Sequence, residues 1–268
     1  GGGRGAGGKR EGGGKDGGRG EGGKGGLEVR GRGSRGGGDG DRGGGGDEVG
    51  VIESGRGEGH GRGGKADGWG GAAGGNGRGG IAREVMEEGE KSSLHLTTDR
   101  GALRAETSPD GSVSINMGQP LLTWQDIPLS EAMETLVLPI KGDPSATGMG
   151  NPHCTFFVPD IAAINLEADA APIEHHPLFP ERTNVQFAQV IGKDHIRMRV
   201  WERGVGVTLA SGSSSCATAV AAARRGLTGR SVKIDVDGGS LQIDWREDGV
   251  WLTGPTMHVF SGRLTRRS

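Results

Sequence analysis

Glycine is spread so unevenly along this chain that it decides where a core can form. Of 59 glycines in 268 residues, 41 fall within the first 80. Residues 1–70 offer only Leu27, Val29, Val49, Val51, Ile52 and Trp69 as large apolar side chains. Such a segment cannot bury enough surface to offset its ordering entropy, so residues 1–70 are expected to be Gly-rich, low in complexity and disordered. Gly-Arg runs such as Gly31-Arg32-Gly33 resemble RNA-binding tails. Basic and acidic side chains nearly balance there, and Trp69 is the one stacking aromatic, so neither phosphate neutralisation nor base stacking is supported. A wrong-frame translation of GC-rich coding DNA would have this composition as well.

The remaining composition narrows the class. The formal net charge is −2, so no strongly charged partner is implied, and nucleic acid is not expected. Cys154 and Cys216 are the only cysteines, with no CxxC and no metal spacing. That argues against a disulfide framework or a zinc site and fits a reducing, cytoplasmic setting. No basic-then-apolar leader and no apolar run of membrane length is present, so no membrane partner is expected.

The stretch from Glu202 to Gly226 reads as strand, tight turn and helix. Val205, Val207 and Leu209 alternate at strand spacing. Ser211-Gly212-Ser213-Ser214-Ser215 then supplies small residues where a helix starts, and Gly226 is a natural C-cap. A helix start of this kind presents free N–H groups at a positive end, suited to a carboxylate or phosphate, and equally serves as a plain structural cap.

Order is expected from about Gly71. Gly75-Asn76-Gly77 reads as a turn, and Ile81, Ala82, Val85 and Met86 follow at helical spacing up to Gly89. Three short strands are predicted around Leu94–Leu96, Ala102–Glu106 and Val113–Met117, and residues 118–145 read as a linker. Further strands are predicted at Thr155–Val158, Val185–Phe187, Ile196–Val200, Val232–Val236, Leu241–Trp245 and Val250–Leu252. The polar loop Glu174–Asn184 separates the first two of these.

The pattern repeats. Ala73-Gly74-Gly75 matches Ala210-Ser211-Gly212 at an offset of 137, and the glycines after each helix, Gly89 and Gly226, keep it. Leu94, Asp99, Gly101 and Leu103 match Val232, Asp237, Gly239 and Leu241 at 138. Turn, helix and three-strand meander therefore occur twice, as units 71–140 and 141–262 with a tail at 263–268. Facing halves would bring two helix N-termini to one cleft and set Gly74 and Ser211 on opposite faces of a bound anion. A residue on each face of a gripped α-carbon is the geometry of a two-base racemase.

Three segments carry a resemblance: Gly150-Asn151-Pro152-His153, Phe179-Pro180-Glu181-Arg182-Thr183-Asn184, and Trp201-Glu202-Arg203-Gly204-Val205-Gly206. They are similar to the diaminopimelate epimerase family, cofactor-independent enzymes of lysine and peptidoglycan precursor synthesis. The resemblance is close over the second unit and loose over the first, where the family's N-terminal strand is not recognisable. It implies an α+β fold of two pseudo-symmetric halves, each a β-barrel-like mixed sheet wrapped around a central helix, with the active site between them. It implies a small amino-acid substrate, no cofactor, no metal, and leaves a homodimer open.

The resemblance also implies substrate contacts at Gly75, Asn76, Asn151, Asn184, Glu202, Arg203, Gly212 and Ser213, with His153 and Glu202 flanking the reacting carbon. Each has a plainer use: Asn184 in holding a turn, Glu202–Arg203 as a solvated pair, His153 in fixing its loop. The family's two catalytic cysteines fall at Gly74 and Ser211, and a further family cysteine falls at Gly80. A thiol can be tuned to a thiolate at a helix end, whereas a serine hydroxyl needs an added base and glycine has no functional group. Impaired or absent activity is therefore expected of the chain as written. Two other readings stay open: a non-catalytic amino-acid-binding homologue, and a related cofactor-free isomerase or dehydratase of the proline racemase type.

Overall fold

The computed structural model describes residues 28–31, 48–55, 58–65, 75–88, 92–98, 101–108, 110–256 and 260–263. Its early elements are β1 (Glu28–Gly31), β2 (Glu48–Gly55), β3 (Glu58–Lys65), α1 (Gly75–Glu88), β4 (Ser93–Thr98), β5 (Gly101–Thr107) and β6 (Val113–Asn116). The middle of the chain forms β7 (Ser145–Gly148), β8 (Pro152–Phe157), α2 (Leu166–Glu174), β9 (Asn184–Gly192), β10 (His195–Glu202) and β11 (Gly206–Thr208). It closes with α3 (Gly212–Arg224), β12 (Ser231–Val236), β13 (Gly239–Arg246), β14 (Gly249–Gly254) and β15 (Phe260–Arg263). The result is a mixed sheet with few helices. None of these helices is long and apolar enough to cross a membrane.

The main sheet has eleven strands in the order β4-β5-β6-β14-β13-β12-β10-β9-β8-β7, with β11 paired to β10. It runs without a break from β4–β6 to β14 and the later strands, because β6 pairs antiparallel with β14, Ile115 opposite Leu252. Most neighbours are antiparallel hairpins. The parallel pairs are β8 with β9 and β10 with β12, where α2 and α3 lie in the connections.

α3 shows why its sequence is so rich in small residues. It touches β7, β8, β9, β12, β13 and β14, and Ser214 to Ala222 are all buried. A helix surrounded by sheet has no polar face to offer water, and Ala, Ser and Gly let the strands approach closely. Cys216, Ala217, Ala219 and Val220 join Ala82 and Met86 of α1 and Ile115, Ile234, Ile243 and Leu252 of the sheet in one apolar cluster. Gly226 follows the helix with φ +68°, as the C-cap reading expects.

A second cluster lies on the other face of β9, where Val185 and Phe187 meet Leu166 and Ala170 of α2. β9 thus alternates, with Val185 and Phe187 toward α2 while Gln186 and Ala188 look toward α3.

The sequence reading needs several corrections. Residues 1–70 are expected to be disordered, yet β1, β2 and β3 pair there, with β15 completing a four-stranded antiparallel sheet. Backbone N–H and C=O groups suffice for such a ladder, and glycine supplies both. Gly75 and Asn76 lie inside α1 and not in a turn before it. Residues 118–145 do not form a spacer: Ile127, Leu129, Leu138 and Ile140 are buried in the second cluster. α2 was missed, although Asn165 caps it by accepting the Ala168 N–H at 3.2 Å. The alternation at Val205, Val207 and Leu209 has the right period on the outer face: all three are exposed, while Gly206 and Thr208 face inward. The Glu202–Gly206 pairing fixes that register.

Candidate functional site

β8 and β9 are parallel neighbours, with His153 beside Asn184 and Thr155 beside Gln186. Their inward residues form a polar layer against the start of α3. His153 is fully buried. Its Nε2 lies 2.9 Å from Asn151 Oδ1. Its Nδ1 lies 3.1 Å from Gln186 Nε2 and 3.4 Å from Ser214 Oγ. An amide oxygen only accepts, so Nε2 carries the proton and Nδ1 accepts from the Gln186 amide. Gln186 Nε2 also donates to Ser214 Oγ at 3.0 Å, and Gln186 Oε1 accepts from the Thr155 hydroxyl at 3.2 Å.

A second chain of bonds ties the other two motif segments together. Asn184 is buried, donates from Nδ2 to the Pro152 carbonyl at 2.9 Å, and accepts the Arg203 N–H through Oδ1 at 3.0 Å. The Arg203 guanidinium donates to the Glu181 carbonyl at 3.0 Å. Glu202 Oε1 accepts the Thr208 hydroxyl at 2.7 Å, across the β10–β11 hairpin. The plainer use of Asn184 is therefore real: both ends of its amide bond the protein itself.

Ser211 is the extended N-cap of α3, buried, with no side-chain cap hydrogen bond. Its carbonyl accepts the N–H of Ser215 at 3.0 Å and the Ser215 hydroxyl at 2.9 Å. Gly212 opens the helix and is buried, and Ser213 beside it is half-buried. Among the first-unit residues, Gly75 opens α1, Asn76 follows it with its side chain outside the described residues, and Gly74 lies outside them altogether. Hydrogen bonds link Asn151 to His153, His153 to Ser214 in the first turn of α3, and Asn184 to both Pro152 and Arg203.

Both cysteines are buried, Cys154 on β8 and Cys216 inside α3. Burial pushes the Cys154 thiol far up from its ordinary range, so it is no thiolate at neutral pH. Cys216 sits one turn into α3 and cannot stand in at the N-cap. The described residues hold no group of three or more His, Cys, Asp and Glu side chains placed to bind a metal ion.

Sequence reasoning missed Gln186, Ser214 and Thr208. The signal for Gln186 was present: it lies two residues beyond Asn184 in an alternating strand, hence on the same face.

The profile described as diaminopimelate epimerase matches residues 145–259, the region holding all three motif segments. A diaminopimelate epimerase of Rhodospirillum centenum is 48% identical over 190 residues, covering 69% of this chain and 65% of the relative. One from a Caulobacter species is 42% identical over 199 residues, covering 70% of this chain and 69% of the relative. The chain belongs to the diaminopimelate epimerase family. It spans about two thirds of the length of these family relatives. A solved structure of a predicted epimerase from Pseudomonas aeruginosa shares the fold, with a TM-score of 0.58 at 18% identity over 82% of this chain and 84% of that one.

Proposed function

We propose that this chain carries the substrate-gripping part of a diaminopimelate epimerase site and that its turnover is impaired. The site acts on LL- and meso-diaminopimelate, without cofactor, between two similar halves that each wrap a sheet around a helix. The observation that carries the reading is the hydrogen-bonded frame that joins Asn151 and His153 to Ser214 in the first turn of α3 and joins Asn184 to Pro152 and Arg203. A substrate carboxylate at the N-terminus of α3 would meet Gly212 and Ser213 at the positive end of the helix. Glu202 and Arg203 carry opposite charges, suited to an amino group and a carboxylate of a substrate that has two of each.

Epimerisation needs one base to take the α-proton and an acid on the opposite face to return one. At the family's two thiol positions this chain has Gly74 and Ser211. Glycine offers no group, and the serine hydroxyl is a far weaker acid than a thiol of pKa about 8.5. His153 is buried, with Nδ1 already accepting from Gln186, so it is not placed as a free base. The second reading, a non-catalytic amino-acid-binding homologue, is favoured by the same observation: the gripping residues are kept and the thiols are not. A proline racemase-type activity is less well supported, since the Asn184 and Arg203 segments would hold the distal end of diaminopimelate.

Two measurements test the proposal. Calorimetry with diaminopimelate is expected to give saturable binding, and incubation in deuterium oxide is expected to give little exchange of the substrate α-hydrogen. Absence of binding would sink the reading of the site. Rapid α-hydrogen exchange would sink the impairment.

A further inference from the structure

The turn bearing Glu202 and Arg203 is held by a residue outside all three motif segments. β10 ends at Glu202, which pairs with Gly206 of β11. The Val205 N–H donates to the Glu202 carbonyl at 3.0 Å, and Gly204 takes φ +74°, a conformation open to glycine. A two-stranded hairpin with a short outer strand is marginal by itself. Something must fix the turn if its side chains are to keep one geometry.

Glu174 does so. It is the last residue of α2 and is only 4% exposed. Its Oε2 accepts the Trp201 indole N–H at 2.6 Å, and its Oε1 accepts the Gly204 N–H at 2.8 Å. The Arg182 guanidinium lies 3.6 Å from Oε1 and the His175 ring 4.0 Å from it. The carboxylate thus grips the residue before Glu202 and the residue after Arg203. Asn184 adds a third point by accepting the Arg203 N–H. Several donors converge on one group, which suits a side chain that only accepts. A glutamine would turn its NH₂ toward one of them. Charge-assisted bonds of this kind are among the stronger ones and offset the cost of burying the carboxylate.

We infer that Glu174 is the positioning residue of the Glu202–Arg203–Gly204 turn. It aims the two charged side chains at the ligand without touching the ligand itself. The effect on ligand affinity rests on the proposed function; the effect on the turn does not.

The test compares the full chain with Glu174→Gln and with Trp201→Phe, which removes the indole donor along with part of the ring that packs on the second apolar cluster. Amide exchange at Arg203 and Gly204 is expected to quicken by about tenfold or more in Glu174→Gln, with β12–β13 protection unchanged. The Trp201 indole N–H resonance is expected to move upfield. Trp201→Phe is expected to loosen the turn less, because the Gly204 bond remains. Calorimetry with meso-diaminopimelate is expected to show about tenfold weaker binding in Glu174→Gln. An unmoved indole resonance with unchanged exchange would overturn the inference, as would a loosened turn that binds diaminopimelate as tightly as before. If the unsubstituted chain binds no diaminopimelate, the proposed function fails, and the exchange and indole results decide the role of Glu174 alone.

Discussion

Asn184 accepts the backbone N–H of Arg203 through Oδ1 at 3.0 Å, so a side chain expected to meet substrate is built into the frame that carries Arg203. Its other end donates to the Pro152 carbonyl. Asn184→Ala would leave a buried donor and a buried acceptor without partners. The expected loss of stability is about 1–3 kcal/mol. Asn184→Asp keeps the acceptor for Arg203 but sets a second oxygen against the Pro152 carbonyl, so its loss should be at least as large. Urea unfolding midpoints check both; an alanine variant as stable as the unsubstituted chain would remove Asn184 from the frame.

The partners of His153 assign it the Nε2–H tautomer, because Asn151 offers an oxygen to Nε2 and Gln186 offers an N–H to Nδ1. Nitrogen-15 spectra of labelled histidine should show a protonated Nε2 and a bare Nδ1 at this residue. Gln186→Glu puts an acceptor where Nδ1 now receives a proton donor, and a protonated Nδ1 should then appear. The Nδ1–H form in the unsubstituted chain would contradict the assignment.

The strands of the second unit were legible because their signals are local. β12 and β13 alternate, β14 is a short apolar run, and Asp237-Gly238 and Asp248-Gly249 mark the turns between them. α3 was legible from its small-residue start, Ala-rich body and closing Gly226. Residues 118–145 were not, because Ile127, Leu129, Leu138 and Ile140 reach the core from irregular chain, which has no period. α2 carries a readable cap at Asn165 with Glu167 and Asp169 in its first turn, but Pro172 inside it interrupts the helical signal. The motif segments located the site. What each residue does there depends on the packing of β9 against α3, which sets Gln186 against His153 and Ser214 and which no short window of sequence encodes.

Asp235 gives a pH dependence of definite sign. The Ser240 hydroxyl donates to its Oδ1 at 2.5 Å, and His195 lies 2.6 Å from Oδ2 with Lys233 nearby. The Ser240 bond, then His195 and Lys233, hold its carboxyl below the ordinary carboxylate range. A depressed folded-state value means stability that is present above the unfolded value of about 3.9 and is lost as pH falls through the folded one. Ser240→Ala should therefore be less stable than the unsubstituted chain at pH 6, by no more than about 1 kcal/mol at this partly exposed site. The gap should narrow below pH 4. A gap that stays constant between pH 6 and pH 3 would show that the Ser240 bond does not act through the charge of Asp235.

Ser211 stands at the N-cap of α3 with its side chain uncommitted to capping, where a thiol would meet the positive helix end. Ser211→Cys should place one base against one face of the α-carbon. One stereochemical form of diaminopimelate would then exchange its α-hydrogen with solvent deuterium, and neither form would invert, because Gly74 still returns nothing from the other face. Gly74→Cys together with Ser211→Cys should supply both groups and allow inversion. A positioned acid or base contributes on the order of 10²–10⁴ in rate, so the double variant should exceed the unsubstituted chain by at least about a hundredfold. Chiral separation of the product, with proton NMR of the α-position, distinguishes exchange from inversion. Exchange without inversion in the double variant would mean that residue 74 does not face the substrate opposite residue 211.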